Sequence, residues 1–240
     1  MRTDLSPEER TCVRGLVLRV YEEKGANRTL SLLTAERGVL RAAAFGAGKT
    51  GSPLAGAAQA FAYADFTMLS RRGSYRVEEA ATIETFRGLT RDIARFSLAS
   101  YFSELLCDVC PAGTECGEIL QLALYALWAL ERKKRETELV RAAFTFRLMC
   151  IAGYAPDLDG SGSCFLASEG RLDSRGAALT PGALAALRHI AECPAEKVFA
   201  FSLGGESLAA LGCACEQYTR VCSDRDYPTL DYYKKMIQTA

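Results

Sequence analysis

The 240 residues carry 29 basic and 29 acidic side chains and are 49% apolar. That is enough chain for one large or two small domains with a sizeable core, and zero net charge says nothing about partners until the charge is located. Charges break every apolar stretch well short of the ~20 residues that a membrane span needs, and the opening MRTDLSPEER has no apolar segment of the kind a secretory leader requires. The ten cysteines are therefore expected as reduced thiols of a cytosolic protein, several of them serving as small core residues.

In chain order, residues 13–21, 29–34, 39–45, 61–69 and 75–86 read as five short strands divided by turn signals. Five strands of this length suit a small barrel such as the OB-fold, a Greek-key barrel that commonly binds oligonucleotides, although strand count does not separate it from other small barrels. After Gly88 the period changes to helical: residues 89–110, 115–132 and 136–152 form three helices, the second apolar on nearly every side and so expected at the centre. Residues 157–178, rich in Gly, Ser and Asp, read as a loop or small insert. Thr180-Pro181 is an N-cap followed by a first-position proline, and helices near 181–191, 205–222 and 229–238 close the chain.

Charge is unevenly spread. Between residues 11 and 76 ten basic side chains face four acidic ones, and the rest of the chain is correspondingly acidic. Strand alternation puts Arg41 with Phe45 on one face of residues 39–45, and Arg19 with Tyr21 opposite Leu16, Leu18 and Val20. Arginines interleaved with rings are what single-stranded nucleic acid needs, cations for phosphate and flat faces for bases. The plain alternative is that the rings are core and the arginines merely solvated.

Residues 46–50, GAGKT, imitate the end of a phosphate-binding P-loop. Ala43 stands where the motif needs its first glycine, and GSPLAG after Thr50 is a poor helix opening. A P-loop nucleotide enzyme is thus a rival reading, and a helical protein–protein adaptor whose barrel binds no DNA is another. The single histidine, His189, lies in the last turn of a helix and follows no catalytic cysteine or serine signature. Cys107 and Cys110 with Cys116, and Cys213 and Cys215 with Cys222, have spacings that could suit metal but equally suit one face of a helix.

LVLRVYEEKGANRTLSLLTAERGVLR at residues 16–41, the Gly-rich segment that follows, AYADFTMLSRRGSYRVEEAATIETFRGLTRDIARFSLASYFSELL at 62–106, LVRAAFTFRLMCIAGYAPDLD at 139–159 and PTLDYYKKM at 228–236 together resemble, in order, the bacterial DNA repair and recombination mediator RecO. The resemblance implies an α+β architecture: an OB-fold DNA-binding domain over residues 1–85, then an all-α helical domain over 86–240 with a degenerate zinc-ribbon-like insert at 157–178. It implies no catalytic turnover. The expected activities are binding of single- and double-stranded DNA, annealing of complementary strands, and help in loading RecA onto DNA coated by single-stranded DNA-binding protein (SSB). Implied partners are RecR and the C-terminal tail of SSB, with no membrane, in a cytoplasmic, nucleoid-associated setting.

For DNA contact the resemblance points to Arg19, Arg37, Arg41, Lys49, Arg71 and Arg72. The loop around Lys49 and Ser52 has Gly48, Gly51 and Pro53 where relatives tend to carry Arg or Lys, which weakens it as a phosphate clamp and shifts the load to the arginines. Many relatives hold a four-cysteine zinc after the Gly-Tyr-x-Pro-x-Leu motif. Here the four positions fall on Ser161, Cys164, Ser174 and Ala177, so no metal or other cofactor is expected at this site.

Overall fold

The computed structural model describes residues 9–132, 135–160 and 162–238. They gather into two compact units: one holds the chain up to Phe86 and regains it for Ser103–Leu120, the other holds Arg87–Phe102 and the chain from Gln121 onward.

In the first unit, strands β1 (Glu9–Glu23), β2 (Asn27–Thr34), β3 (Gly38–Ala44), β4 (Tyr63–Arg71) and β5 (Ser74–Glu84) close into a barrel in the order β1-β2-β3-β5-β4. All neighbours are antiparallel except β3 and β5, the Greek-key closure of an OB-fold. The 15-residue β1 serves two partners, its first half bonding β4 and its second half β2. Between Val17 and Arg19 the register slips by one residue, so Leu18 is a bulge that bends the strand from one partner to the other. The barrel core takes Val13, Val17, Leu30, Leu32, Leu40, Ala42, Phe66 and Met68.

That bulge corrects one expectation. Arg19 and Tyr21 do lie on the face opposite Val20, but the barrel core takes Val17 rather than Leu16, because the extra residue resets the alternation upstream. The connector 45–62 is a chain of tight turns, Lys49 N–H to Gly46 O (3.0 Å) and Ser52 N–H to Lys49 O (3.1 Å) among them. It drops Ala47, Leu54, Ala57 and Ala58 into the core and so stoppers one end of the barrel.

Ser103–Leu120 contains the end of helix α1 (Ile93–Val109) and the start of α2 (Gly117–Glu131). Between them the chain runs as a strap along β3 and the turn before it. Val39 N–H donates to Cys110 O (3.1 Å), Gly113 N–H to Arg37 O (2.9 Å) and Cys116 N–H to Ala35 O (2.6 Å). β5 meets β3 only at Ala42 and Ala43, and the strap takes up the Val39 amide beyond the reach of that pairing. Gly38 is required at the crossing: its φ is +61°, and a Cβ there would sit 2.1 Å from the Pro111 carbonyl oxygen.

In the second unit, α3 (Thr137–Ile151) packs on α4 (Pro181–Glu192) and α5 (Gly205–Ser223), and α6 (Pro228–Gln238) ends the described chain. α2 buries Ile119, Leu120, Leu122, Leu124 and Leu127 as its apolar sequence suggests, but the helix at the centre of the unit is α3. α3 is buried from Leu139 through Phe146, whereas α2 leaves Tyr125, Trp128 and Ala129 part-exposed. What disguised α3 is Arg141, a buried cation held by Glu138 (2.8 Å) and Glu216 (3.1 Å). Tyr233 donates to Glu138 (2.7 Å) and Lys234 pairs with Glu216, which ties α6 to the same network. α4 begins as its sequence says, with Thr180 Oγ1 accepting from Ala183 N–H (3.1 Å) ahead of Pro181.

The stretch 157–178 is more ordered than its composition suggests. It holds three short antiparallel strands, β6 (Cys164–Leu166), β7 (Arg171–Asp173) and β8 (Ala177–Ala178), with β6 in the middle. Buried Phe165 and Leu172 face each other across it, and Phe165 packs edge-on against Tyr218 of α5. Strands of two or three residues are too short to show a period. Among the described residues no helix is long and apolar enough to cross a membrane.

Candidate nucleic-acid interface

The register across β1, β2, β3 and β5 lines up two rows on the outside of the barrel. Arg19 sits opposite Ser31, which sits opposite Arg41. One step along, Tyr21 faces Thr29, Thr29 faces Ala43, and Ala43 faces Arg76. Phe45, two residues past Ala43, is 57% exposed and Tyr21 37%. Arg41 lies over the Tyr21 ring, its Cζ 5.1 Å from the centroid. This is the strand 2–3 surface that OB-folds use for oligonucleotides.

Two guanidiniums bear on the Tyr21 phenol. Burial pushes the Tyr21 phenol up, but hydrogen bonds from Arg19 and Arg41 outweigh it and leave the group more acidic than an ordinary tyrosine. Arg19 is not wholly available, since Glu104 of α1 lies 3.6 Å from its Nη2. Cys107, one turn on, lies close enough to feel both Arg19 and Arg41, although burial dominates and raises its thiol.

The other residues singled out in the sequence are dispersed. Arg37, in the β2–β3 turn, donates to Tyr75 Oη and Thr11 Oγ1, both at 3.3 Å, so it is drawn toward β5 and β1. Both partners are neutral, which leaves its charge uncompensated by those bonds. Arg71 and Arg72 are exposed at the β4–β5 turn, where Arg72 and Gly73 both have positive φ. Lys49 is exposed on the stopper, its stem folded back over Gly46. Arg76 escaped the sequence reading. Only the parallel β3–β5 pairing brings it to Ala43, and nothing local to either strand announces that pairing.

The basic excess counted along the chain is also partly cancelled. Arg14 grips Asp65 with two bonds (2.7 and 3.0 Å), Arg28 meets Glu22 (3.6 Å) and Arg76 meets Glu78 (3.4 Å). The GAGKT amides are likewise engaged: Gly46 N–H donates to Asn27 Oδ1 and Gly48 N–H to Ala26 O, both at 2.8 Å. A phosphate cradle needs those N–H groups pointing at the ligand ahead of a helix, and here turns follow instead.

The residues at the four positions that the resemblance aligns with zinc ligands do not fit a closed tetrahedral zinc. Cys164 pairs with Asp173 and Ala178 inside the small sheet, Ala177 faces Phe165, and the Ser174 hydroxyl is bonded to Asp173 Oδ1 (3.2 Å). Ser161 lies outside the described residues. Among the described residues no three His, Cys, Asp or Glu side chains form a metal-binding group, the Cys107, Cys110 and Cys116 set included. Cys110 and Cys116 are buried neighbours, and burial pushes the Cys110 thiol well up. His189 Nε2 lies 3.2 Å from Lys197 O with its ring against Phe201, packed within the helical unit.

Comparison with known proteins agrees with this arrangement. The family model described as Recombination protein O N terminal matches residues 10–86, and that described as Recombination protein O C terminal matches residues 90–230. The DNA repair protein RecO of Acetivibrio thermocellus is 25% identical over 239 residues, which cover 92% of this chain and 95% of that protein. Those of Alkaliphilus metalliredigens and Desulforudis audaxviator are 31% and 33% identical over 150 and 149 residues, 62% of this chain in each case and 61% and 59% of the relatives. The two family matches run almost end to end through the barrel and the helices, and on that ground the chain belongs to the RecO family of DNA repair and recombination proteins.

Proposed function

We propose that the chain is a recombination mediator that binds single- and double-stranded DNA on the outer face of β1, β2, β3 and β5. It brings complementary strands together there and, with RecR, helps RecA load onto SSB-coated DNA. The observation that carries this is the pair of rows that sets Arg19, Arg41 and Arg76 beside Tyr21 and Phe45. Arg71 and Arg72 extend the cationic surface at the β4–β5 turn, and Arg37 and Lys49 add charge at its margins. Pairing two strands requires neutralised phosphates and bases free to turn, so the proposed work asks for no reacting group and no cofactor.

For the SSB tail, the helical unit offers a cleft of about 350 Å³ lined by Tyr125, Trp128 and Phe199, with Arg132, Arg135 and one carboxylate, Glu196. Apolar walls with two arginines against one carboxylate suit a short acidic segment with apolar side chains. The engaged Gly46 and Gly48 amides weigh against the nucleotide-enzyme reading. The adaptor reading would keep the cleft and lose DNA binding at the barrel.

The test is a titration of labelled single strands at salt from about 50 to 200 mM. Arg41→Ala and Arg76→Ala should each weaken binding alike for all sequences and lower the log–log salt slope by about 0.7 per lost contact. An unchanged affinity and slope in the double variant would remove DNA from this face and leave the adaptor.

A further inference from the structure

The DNA face carries its own competitor. Glu104 and Asp108 stand one turn apart on the part of α1 that belongs to the barrel's compact unit, so they share a helix face with Cys107 between them. Glu104 is mostly covered (15% exposed) and lies 3.6 Å from Arg19, which is 36% exposed. Asp108 is exposed. The Arg19–Glu104 contact places this face of the helix beside the first row of the interface. A carboxylate offers a guanidinium the same two-oxygen partner as a phosphate does.

We propose that this turn of α1 is an acidic gate on the DNA face, in which Arg19 exchanges Glu104 for a backbone phosphate when a strand binds. The proposal rests on the DNA-binding reading above. Each strand that binds must first displace Glu104, so the gate lowers affinity for any polyanion and speeds the departure of a strand already paired. Asp108, exposed one turn further on, adds repulsion.

Glu104→Gln keeps the shape and removes the charge. On labelled single strands at low salt it should bind about two- to fivefold tighter, the range spanned by part-exposed ion pairs. The gain should vanish when Arg19→Ala is also present. Asp108→Asn should move affinity the same way by less, and Glu169→Gln, an equal charge change beside Arg171 in the helical unit, should leave it within experimental error. Because Asp108 is exposed, its variant keeps the test alive if Glu104→Gln fails to fold.

Tightening that persists unchanged in the Arg19→Ala background would overturn the exchange, as would no tightening in a folded Glu104→Gln protein. If Glu104→Gln and Asp108→Asn leave affinity unchanged while Arg41→Ala still weakens it, the gate falls and the interface stands. If Arg41→Ala also has no effect, the interface falls with it.

Discussion

Two glycines with the same backbone sign separate the effect of conformation from that of contact. Gly38 (φ +61°) and Gly51 (φ +77°) both occupy the left-handed region, but a Cβ on Gly51 would have no described atom within 4 Å. One on Gly38 would lie 2.1 Å from Pro111 O and 3.0 Å from Thr114 Oγ1. Placing an L side chain in that region costs roughly 1–2 kcal/mol, offset by about 0.4–1 kcal/mol from the lower entropy of the unfolded chain. Gly51→Ala should therefore destabilise by about 1 kcal/mol. Gly38→Ala adds a displacement of the strap by about an ångström, the amount needed to restore a carbon–oxygen contact. Three backbone bonds hold that strap: those of Val39, Gly113 and Cys116. At ~1 kcal/mol each, the total reaches about 4 kcal/mol. Urea unfolding followed by circular dichroism gives both values, and at 2–4 °C per kcal/mol the thermal midpoint should fall by about 8–16 °C for Gly38→Ala. If the two substitutions cost the same, the strap is not fixed by its backbone and the crowding argument fails.

Acid should weaken the helical unit through Glu138. Burial pushes its carboxyl up, but the Arg141 charge and hydrogen bonds from Arg141 and Tyr233 pull it below the ordinary value. Its stabilisation is complete above the unfolded value of about 4.3 and is lost as pH falls through the lower folded value. Glu138→Gln should cost about 2 kcal/mol at pH 7 and flatten stability below pH 4.3, and an unaltered acid limb would refute the assignment. For metal, protein purified without chelator should contain well under one zinc per chain, chelator should not shift the melting temperature, and Cys164→Ser should cost about 1 kcal/mol. Stoichiometric zinc lost together with the fold in that variant would show that another set of cysteines has rebuilt a site that includes Cys164.

The strands of the barrel and the outward pairing of Arg41 with Phe45 were readable because β3 alternates regularly over seven residues. Arg19 and Tyr21 were readable for the same reason downstream of the bulge, and Leu16 was misplaced because one extra residue at Leu18 has no mark in composition. Arg76 depends on a parallel pairing between strands that are not consecutive, and Glu104 comes from a helix beyond any charge window drawn on the barrel. Long-range pairing of this kind is set by closure of the whole barrel rather than by local propensity. α3 looked less central than α2 because a buried arginine reads as a surface residue until its two glutamates, one of them on α5, are in place.

The strap sets an order of events during synthesis. β5 ends at Glu84, but the Val39 amide on the β3 margin finds its partner only at Cys110, and the Arg37 and Ala35 carbonyls of the turn before it only at Gly113 and Cys116. At roughly 5–20 residues per second, a ribosome takes about 2–6 s to add the intervening ~30 residues. For that interval the nascent barrel carries a bare strand margin able to pair with a neighbouring chain on the same message. A pause after the barrel has emerged but before the strap has left the ribosome would lengthen the exposure, whereas a later one would find the margin already sealed.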